Sequence, residues 1–212
     1  DLRNLHNVTI SGLNSATIYN LQAFSVANSD TSFSSNIISS TTSTFPTTEE
    51  ILVYFNKNVN SSVSSGVGAN QNADFASILI QKINNAKRSI DLALYSLSGT
   101  VGANIATALV NAKNRGVKIR VIGEYDTRTT APWNTLINNG IPYINDVYGI
   151  NDGSGLHHNK FFVIDYRGGA ADSVWVIMGS WNPTDPGTND DRQNLVLIQD
   201  VALAGAYTVE FQ

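Results

Sequence analysis

The sequence predicts an α/β fold: a layered, mixed β-sheet with helices on both faces, preceded by a short all-β segment. Three observations support this prediction. From Ile51 onward, apolar runs typical of strands alternate with stretches of helical periodicity. Before Pro46 the apolar residues follow only a strand-like alternation. The chain of 212 residues is 42% hydrophobic and 14% charged, which is enough apolar material for a full-sized core.

The N-terminal segment is predicted to form strands. Tyr19, Leu21 and Ala23 alternate at the strand period, and thirteen of the twenty-one residues from 28 to 48 are Ser or Thr, which disfavours helix. The Leu13 to Tyr19 corner and this alternation resemble the second half of a fibronectin type III module. We therefore assign residues 1–45 to a partial module of that type and residues 46–50 to a linker.

About 45 residues cannot form the two-sheet sandwich that normally takes roughly 100. Two alternatives follow for the N-terminal segment. Either the chain is a fragment of a longer protein, or these strands pack on the domain that follows. We prefer the first, because Val209 to Gln212 also stop inside a predicted helix.

The second domain, residues 51–212, begins with a strand at 51–55 and a Ser-rich and Asn-rich loop. Apolar residues at helical spacing behind a cap at Asn72 or Asp74 predict a helix over 74–86. A second helix should end at Gly116. The remaining predicted elements are strands at 90–97, 117–121, 141–144, 161–164, 174–178 and 194–199, a short helix at 132–138 closed by Gly140, and a helix from Val201 onward.

Two ionisable side chains, those of His158 and Lys160, directly precede the strand at 161–164. Because side chains alternate along a strand, His158 and Lys160 should project to one face and Asp165 to the other. An imidazole beside an ammonium group makes an anion site that contains a nucleophile. Phosphoryl transfer needs this combination, since fixed cations stabilise the charge on the non-bridging oxygens.

His158, Lys160 and Asp165, followed by the turn Gly179-Ser180-Trp181-Asn182, fit the pattern HxKxxxxD...GSxN. In this the chain resembles the phospholipase D superfamily over residues 51–212. The resemblance implies the same α/β architecture and hydrolysis of a phosphodiester through a phosphohistidine intermediate. It implies no metal or other cofactor. The catalytic residues that it implies are His158, Lys160, Asn182, Ser180 and Asp165.

Two features depart from the family pattern. The thirteen residues from Tyr166 to Met178 make a longer connection between the Asp and the Gly-Ser turn than the family usually has. Members with one motif commonly carry a Glu beside an Asn on the next strand, where this chain has Gln193 and Asn194. Gln193 can orient an imidazole but supplies no charge to stabilise imidazolium.

The motif occurs once. In the family two motifs meet at one site, so the resemblance implies a homodimer, or a second motif in sequence missing from this chain. Alternation turns His157 away from the site, which favours a packed role for it. Tyr95, Glu124 and Trp181 are candidates for the rim of the substrate site.

Composition limits the choice of substrate and compartment. Cysteine is absent, which excludes disulfides and thiolate chemistry. No apolar segment is long enough for stable membrane insertion, and the richness in Ser, Thr and Asn is typical of a secreted or cell-surface bacterial protein. The net charge of −4 favours a phospholipid substrate over nucleic acid. A nucleic-acid endonuclease and a non-catalytic surface-binding module remain as alternatives.

Overall fold

The computed structural model describes residues 8–14, 17–27, 30–41, 50–63, 69–148, 155–169 and 171–211. Within this part of the chain, a mixed sheet of seven strands forms the centre of the fold. Its strands are β3 (Ile51–Phe55), β4 (Ser89–Leu94), β5 (Lys118–Gly123), β6 (Tyr143–Asn145), β7 (Lys160–Ile164), β8 (Trp175–Gly179) and β9 (Asn194–Ile198). The helices are α1 (Phe75–Asn85), α2 (Gly99–Asn114), α3 (Ala131–Asn138), α4 (Asp185–Asn189) and α5 (Val201–Phe211).

The strand order is β3-β9-β8-β7-β4-β5-β6. β4, β5 and β6 are parallel, as the intervening helices require, and the other neighbours pair antiparallel. Leu94 lies opposite Lys160, and Phe161 lies opposite Met178. This register places the start of β7, the ends of β4 and β5, and the end of β8 at the same edge of the sheet. We call it the motif edge.

Two apolar cores lie on opposite faces of the sheet. On one face, α1, α2 and α3 cover β4 and β5 through residues such as Leu79, Leu109 and Trp133, all fully buried. On the other face, α5 covers Phe161 and Val163. Burying a large apolar side chain contributes about 1.5–3 kcal/mol, so both cores stabilise the sheet. The predicted fold class, a mixed sheet with helices on both faces, is confirmed.

Most predicted elements are present, with shifted ends. The cap predicted at Asn72 or Asp74 is Asp74, whose Oδ1 accepts from Ser77 N at 3.0 Å. The strand predicted to reach residue 97 ends at Leu94 instead. Leu97 is fully buried but lies in the connection to α2, so its apolar character reflects core packing and not a strand.

The N-terminal segment forms an antiparallel pair of strands, β1 (Ile18–Ala27) and β2 (Asp30–Thr41). This pair contacts α5. Its outer surface carries Phe24 and Phe33, each more than half exposed, with ring centres 5.8 Å apart. The resemblance to a fibronectin type III module stays a prediction, and residues 42–49, most of the predicted linker, lie outside the described residues.

Of the helices described, none combines the length and the apolar character needed to cross a membrane.

Candidate active site

His158 lies at the motif edge, two residues before β7, and is exposed. Its ring packs at 4.6 Å, centre to centre, against that of Tyr95, which directly follows β4. Tyr95 N also donates to the carbonyl of Asn159 at 2.8 Å. Tyr95, predicted to lie at the substrate rim, therefore supports the imidazole from one side.

Lys160 is the first residue of β7, and its ammonium group lies close to the same ring. Lys160 Nζ donates to the carbonyl oxygen of His158 at 2.9 Å and lies 5.3 Å from the centre of the Tyr95 ring. Burial lowers the pKa of Lys160 from its ordinary value. An ammonium has three N–H donors, so two remain for an anion beside His158.

A cleft of about 410 Å³ opens at this point. His158 and Lys160 line it together with Asn194 of β9, Met178 of β8 and Tyr207 of α5. Tyr207 was not predicted as a site residue. Its hydroxyl donates to Met178 Sδ at 2.5 Å, and burial raises the pKa of Tyr207. Tyr207 lies 29 residues after Met178, and the local sequence of α5 gave no signal for this contact.

The Gly-Ser turn leaves β8 at the motif edge. Ser180 Oγ accepts from Asn194 N at 3.1 Å and from Asn194 Nδ2 at 3.2 Å. Ser180 thus positions Asn194, one of the two residues predicted to orient the histidine. Asn182 Oδ1 is buried and has no hydrogen-bond partner among the described residues, so this amide keeps its acceptor capacity toward them.

Trp181 does not lie at the rim, which corrects its predicted position. Its side chain is 3% exposed, Nε1 donates to Thr188 Oγ1 at 2.9 Å, and the ring packs edge-on against Phe75 at 5.5 Å. The indole ring therefore anchors the turn between Ser180 and Asn182 in the core.

Gln193 also points away from the histidine. Its Nε2 donates to Asp191 Oδ2 at 3.2 Å, and it lines a neighbouring cleft with Asn56 and Arg192. Because side chains alternate along a strand, only Asn194 of the predicted pair lines the same cleft as His158.

Asp165 lies at the opposite end of β7, which corrects its predicted place among the catalytic residues. Its carboxylate accepts hydrogen bonds from three successive backbone N–H groups, those of Lys87, Arg88 and Ser89, at 2.7–3.1 Å. Asp165 has a φ of 57°, which Asp tolerates better than most residues. It fastens the turn between α1 and β4, and the structure does not bring it to His158.

Glu124, predicted to lie at the rim, is instead fully buried beneath the motif. Oε2 accepts from His157 N at 2.5 Å and Oε1 accepts from Asp126 N at 3.1 Å. The carboxylate therefore joins the end of β5 to the residue before His158. The sequence correctly predicted that Glu124 lies at the motif edge, but it did not predict that the side chain is buried there.

His157 faces the interior, as alternation predicted. Its Nε2 is buried and makes no hydrogen bond within the part of the chain that the structure describes, and burial lowers the pKa of His157 below the ordinary 6.5. The two adjacent histidines thus occupy opposite environments.

Among the described residues, no three His, Asp or Glu side chains gather in a way that could hold a metal ion.

The chain is similar in sequence to known proteins. The family described as "Cardiolipin synthase, PLD-like domain" matches residues 79–212. Phospholipase D of Rickettsia prowazekii is 33% identical over 129 residues, which cover 61% of this chain and 57% of that protein. Mitochondrial cardiolipin hydrolase of Xenopus tropicalis is 29% identical over 129 residues, or 60% of this chain and 54% of that protein. The chain thus spans little more than half the length of these relatives.

Two solved structures share the fold. The phospholipase D family member Nuc from Salmonella typhimurium has a TM-score of 0.58 at 23% identity, covering 78% of this chain and 93% of Nuc. NucT from Helicobacter pylori has a TM-score of 0.51 at 21% identity, covering 64% of this chain and 84% of NucT. Since the family match extends over well over half of the chain and spans the whole motif edge, the chain belongs to the phospholipase D-like domain family.

Proposed function

We propose that this chain is a phosphodiesterase in which His158 attacks phosphorus. The observation that supports it best is the cleft at the motif edge, where an exposed imidazole and a partly buried ammonium line one cavity. The imidazole has no hydrogen bond to any described residue, so its ring nitrogens are open to a substrate. A nucleophile beside a fixed cation is what attack on a phosphodiester anion requires.

In the first step, the unprotonated imidazole nitrogen of His158 forms a P–N bond while the P–O bond to the leaving alcohol breaks. A second imidazole gives its proton to that oxygen. In the second step, the same imidazole takes a proton from water, the water oxygen bonds to phosphorus, and the P–N bond breaks. The products are the alcohol and a phosphate monoester, and both histidines return to their starting states.

The non-bridging oxygens need donors on the same side of the cleft. Lys160 supplies two N–H groups beyond the one used by the His158 carbonyl. Asn194, held by Ser180 Oγ, lines the same cleft. The NH₂ group of Asn182, whose Oδ1 has no partner among the described residues, is the third candidate donor once it turns toward the substrate. Such charge-assisted hydrogen bonds contribute about 1.5–3 kcal/mol each.

The second imidazole is not that of His157, which faces the interior and is the one other histidine among the described residues. We propose that it is the His158 of a second copy, related by a two-fold axis at the motif edge. Light scattering at micromolar concentration should then give a dimer mass for active protein. An active monomer, with no second motif attached, would contradict this.

We further propose that the substrate is a phospholipid head group. Two of the named relatives are a phospholipase D and a cardiolipin hydrolase. Leu156, two residues before His158, is 63% exposed, which suits contact with an apolar acyl region. The net charge of −4 is unfavourable for a long nucleic acid.

The experiment that tests this function measures choline release from phosphatidylcholine and cleavage of single-stranded DNA in parallel, both with chelator present. His158→Ala is the inactive control in each arm. We expect release of choline, lost in His158→Ala. Cleavage of DNA alone would assign the endonuclease alternative, and no turnover of either substrate would favour the non-catalytic surface-binding module.

A further inference from the structure

The edge of the sheet opposite the motif carries a second cleft, of about 400 Å³. It lies beside the start of β5, about 16 Å along that strand from the motif edge at the usual rise per residue. Four of its nine lining residues are basic, and none is acidic. They are Lys113, Lys118, Arg120 and Arg167. In a chain with a net charge of −4, this is a marked concentration of positive charge.

Two of these cations are held in place by one buried carboxylate. Asp91, whose side chain is 2% exposed, accepts from Nε and Nη2 of Arg120 at 2.7–2.8 Å and from the same atoms of Arg167 at 2.7–2.9 Å. Burial opposes ionisation of Asp91, but the hydrogen bonds from the two guanidinium groups lower its pKa. The negative charge of Asp91 therefore holds two positive charges in place. The three side chains together have a net charge of +1.

The two guanidinium groups keep donors that Asp91 does not use. Both arginine side chains remain about one-third exposed, and within the described part of the chain Nη1 of each makes no hydrogen bond. A guanidinium has five N–H groups, so each Nη1 offers two to a ligand. Because Asp91 already orders the side chains, binding an anion here costs less conformational entropy than at a free arginine.

The two lysines complete the cleft. Lys118 is exposed at the first position of β5, and its ammonium makes no hydrogen bond to a described residue. Lys113 Nζ donates to the carbonyl of Asn139 at 2.5 Å, which leaves two further N–H groups. Together with Asp91, the four cations give this cleft a net charge of about +3 at neutral pH.

We propose that this cleft is a second binding site, separate from the motif edge, for a small soluble phosphate monoester. A phosphate dianion presents three acceptor oxygens and two charges, which two planar guanidinium groups and two ammonium groups can satisfy together. The volume is in the range of small-molecule sites. Free inorganic phosphate shares this chemistry and is the simplest probe.

Isothermal titration calorimetry at low ionic strength tests the proposal, with inorganic phosphate and glycerol phosphate as titrants and chloride as the reference anion. We expect dissociation constants of about 1 mM or tighter for both phosphates. Lys118→Gln and Lys113→Gln should each weaken binding about tenfold, since each removes a charge-assisted hydrogen bond. These two variants leave the Asp91 cluster intact, so they should fold normally.

Lys87→Gln is the matched control, because Lys87 is exposed at the same end of the sheet but does not line this cleft. It removes the same unit of charge and should leave binding unchanged. Equal weakening by Lys87→Gln would show general charge attraction and overturn the site. So would unaltered binding in Lys118→Gln and Lys113→Gln, an absence of binding heat, or binding only to vesicles that carry a phosphate monoester lipid.

Discussion

The backbone N–H of His157 donates to Oε2 of Glu124 at 2.5 Å, and Glu124 is fully buried. The other carboxylate oxygen accepts from Asp126 N at 3.1 Å. This carboxylate fixes the residue next to the proposed nucleophile to the end of a central strand. The position of His158 therefore depends on a side chain that does not itself reach the cleft.

Glu124→Gln should lower kcat at least about tenfold. An amide has one oxygen, so its NH₂ group would face one of the two backbone N–H groups and release it. KM should change little, because the cleft walls remain. Glu50→Gln, at an exposed position before β3, is the control. Full activity in Glu124→Gln would show that this hydrogen bond does not position His158.

Asp165→Ala should destabilise the fold by about 3 kcal/mol or more, because three backbone N–H groups lose their acceptor. Denaturant unfolding measures the loss. The protein that remains folded should keep its activity. Asp172→Ala, at an exposed position, should be neutral. Normal stability with lost turnover would instead return Asp165 to the catalytic residues.

His157 should make the protein less stable in acid. Burial lowers the pKa of His157 in the folded state below the unfolded value of about 6.5, so the unfolded chain takes up the proton first. Stability should be full above that pH and fall as the pH drops below it toward the folded pKa. Melting temperatures between pH 7.5 and 5.5 should show a smaller decline for His157→Gln than for wild type.

His158→Gln is the control for this titration, because its imidazole is exposed. It should keep the wild-type decline in acid. If removing either histidine abolished the decline equally, burial of His157 would not be its cause.

Turnover should persist in excess chelator. In the proposed mechanism, Lys160, Asn182 and Asn194 take the part that a divalent cation takes in other phosphodiesterases. The measurement is the initial rate of diester hydrolysis before and after dialysis against chelator. A loss of rate that Mg²⁺ or Ca²⁺ restores would contradict the mechanism.

The alternation of elements was enough to predict the layered sheet, because the apolar periodicity of β4, α2 and β5 is the same property that builds the core. Strand alternation also predicted the interior position of His157. Alternation predicts only the face to which a side chain projects, however, and not the groups that it contacts. Asp165 lies beyond the end of β7, where the chain turns, and its partners are backbone groups that no side-chain pattern reveals.

The burial of side chains and contacts between residues far apart in the chain explain the other differences between the predicted and the observed site. Glu124 and Trp181 follow strands, where polar or aromatic side chains often reach the surface, but both are covered by tertiary packing. Tyr207 reaches the cleft from α5 across the sheet. Its contact with Met178 joins residues 29 apart in the chain, a distance over which local sequence carries no signal.

The central claim is that His158 is the nucleophile, and trapping the covalent intermediate tests it most directly. Wild-type enzyme mixed with a labelled diester and quenched in base should yield phosphohistidine at position 158, identified by peptide mass spectrometry. His158→Ala should give no label and lose several orders of magnitude in rate, about 10⁴-fold or more. His157→Ala should still be labelled, with only the cost of lost packing. Label that persists in His158→Ala, or a His157→Ala protein as inactive as His158→Ala, would contradict the assignment.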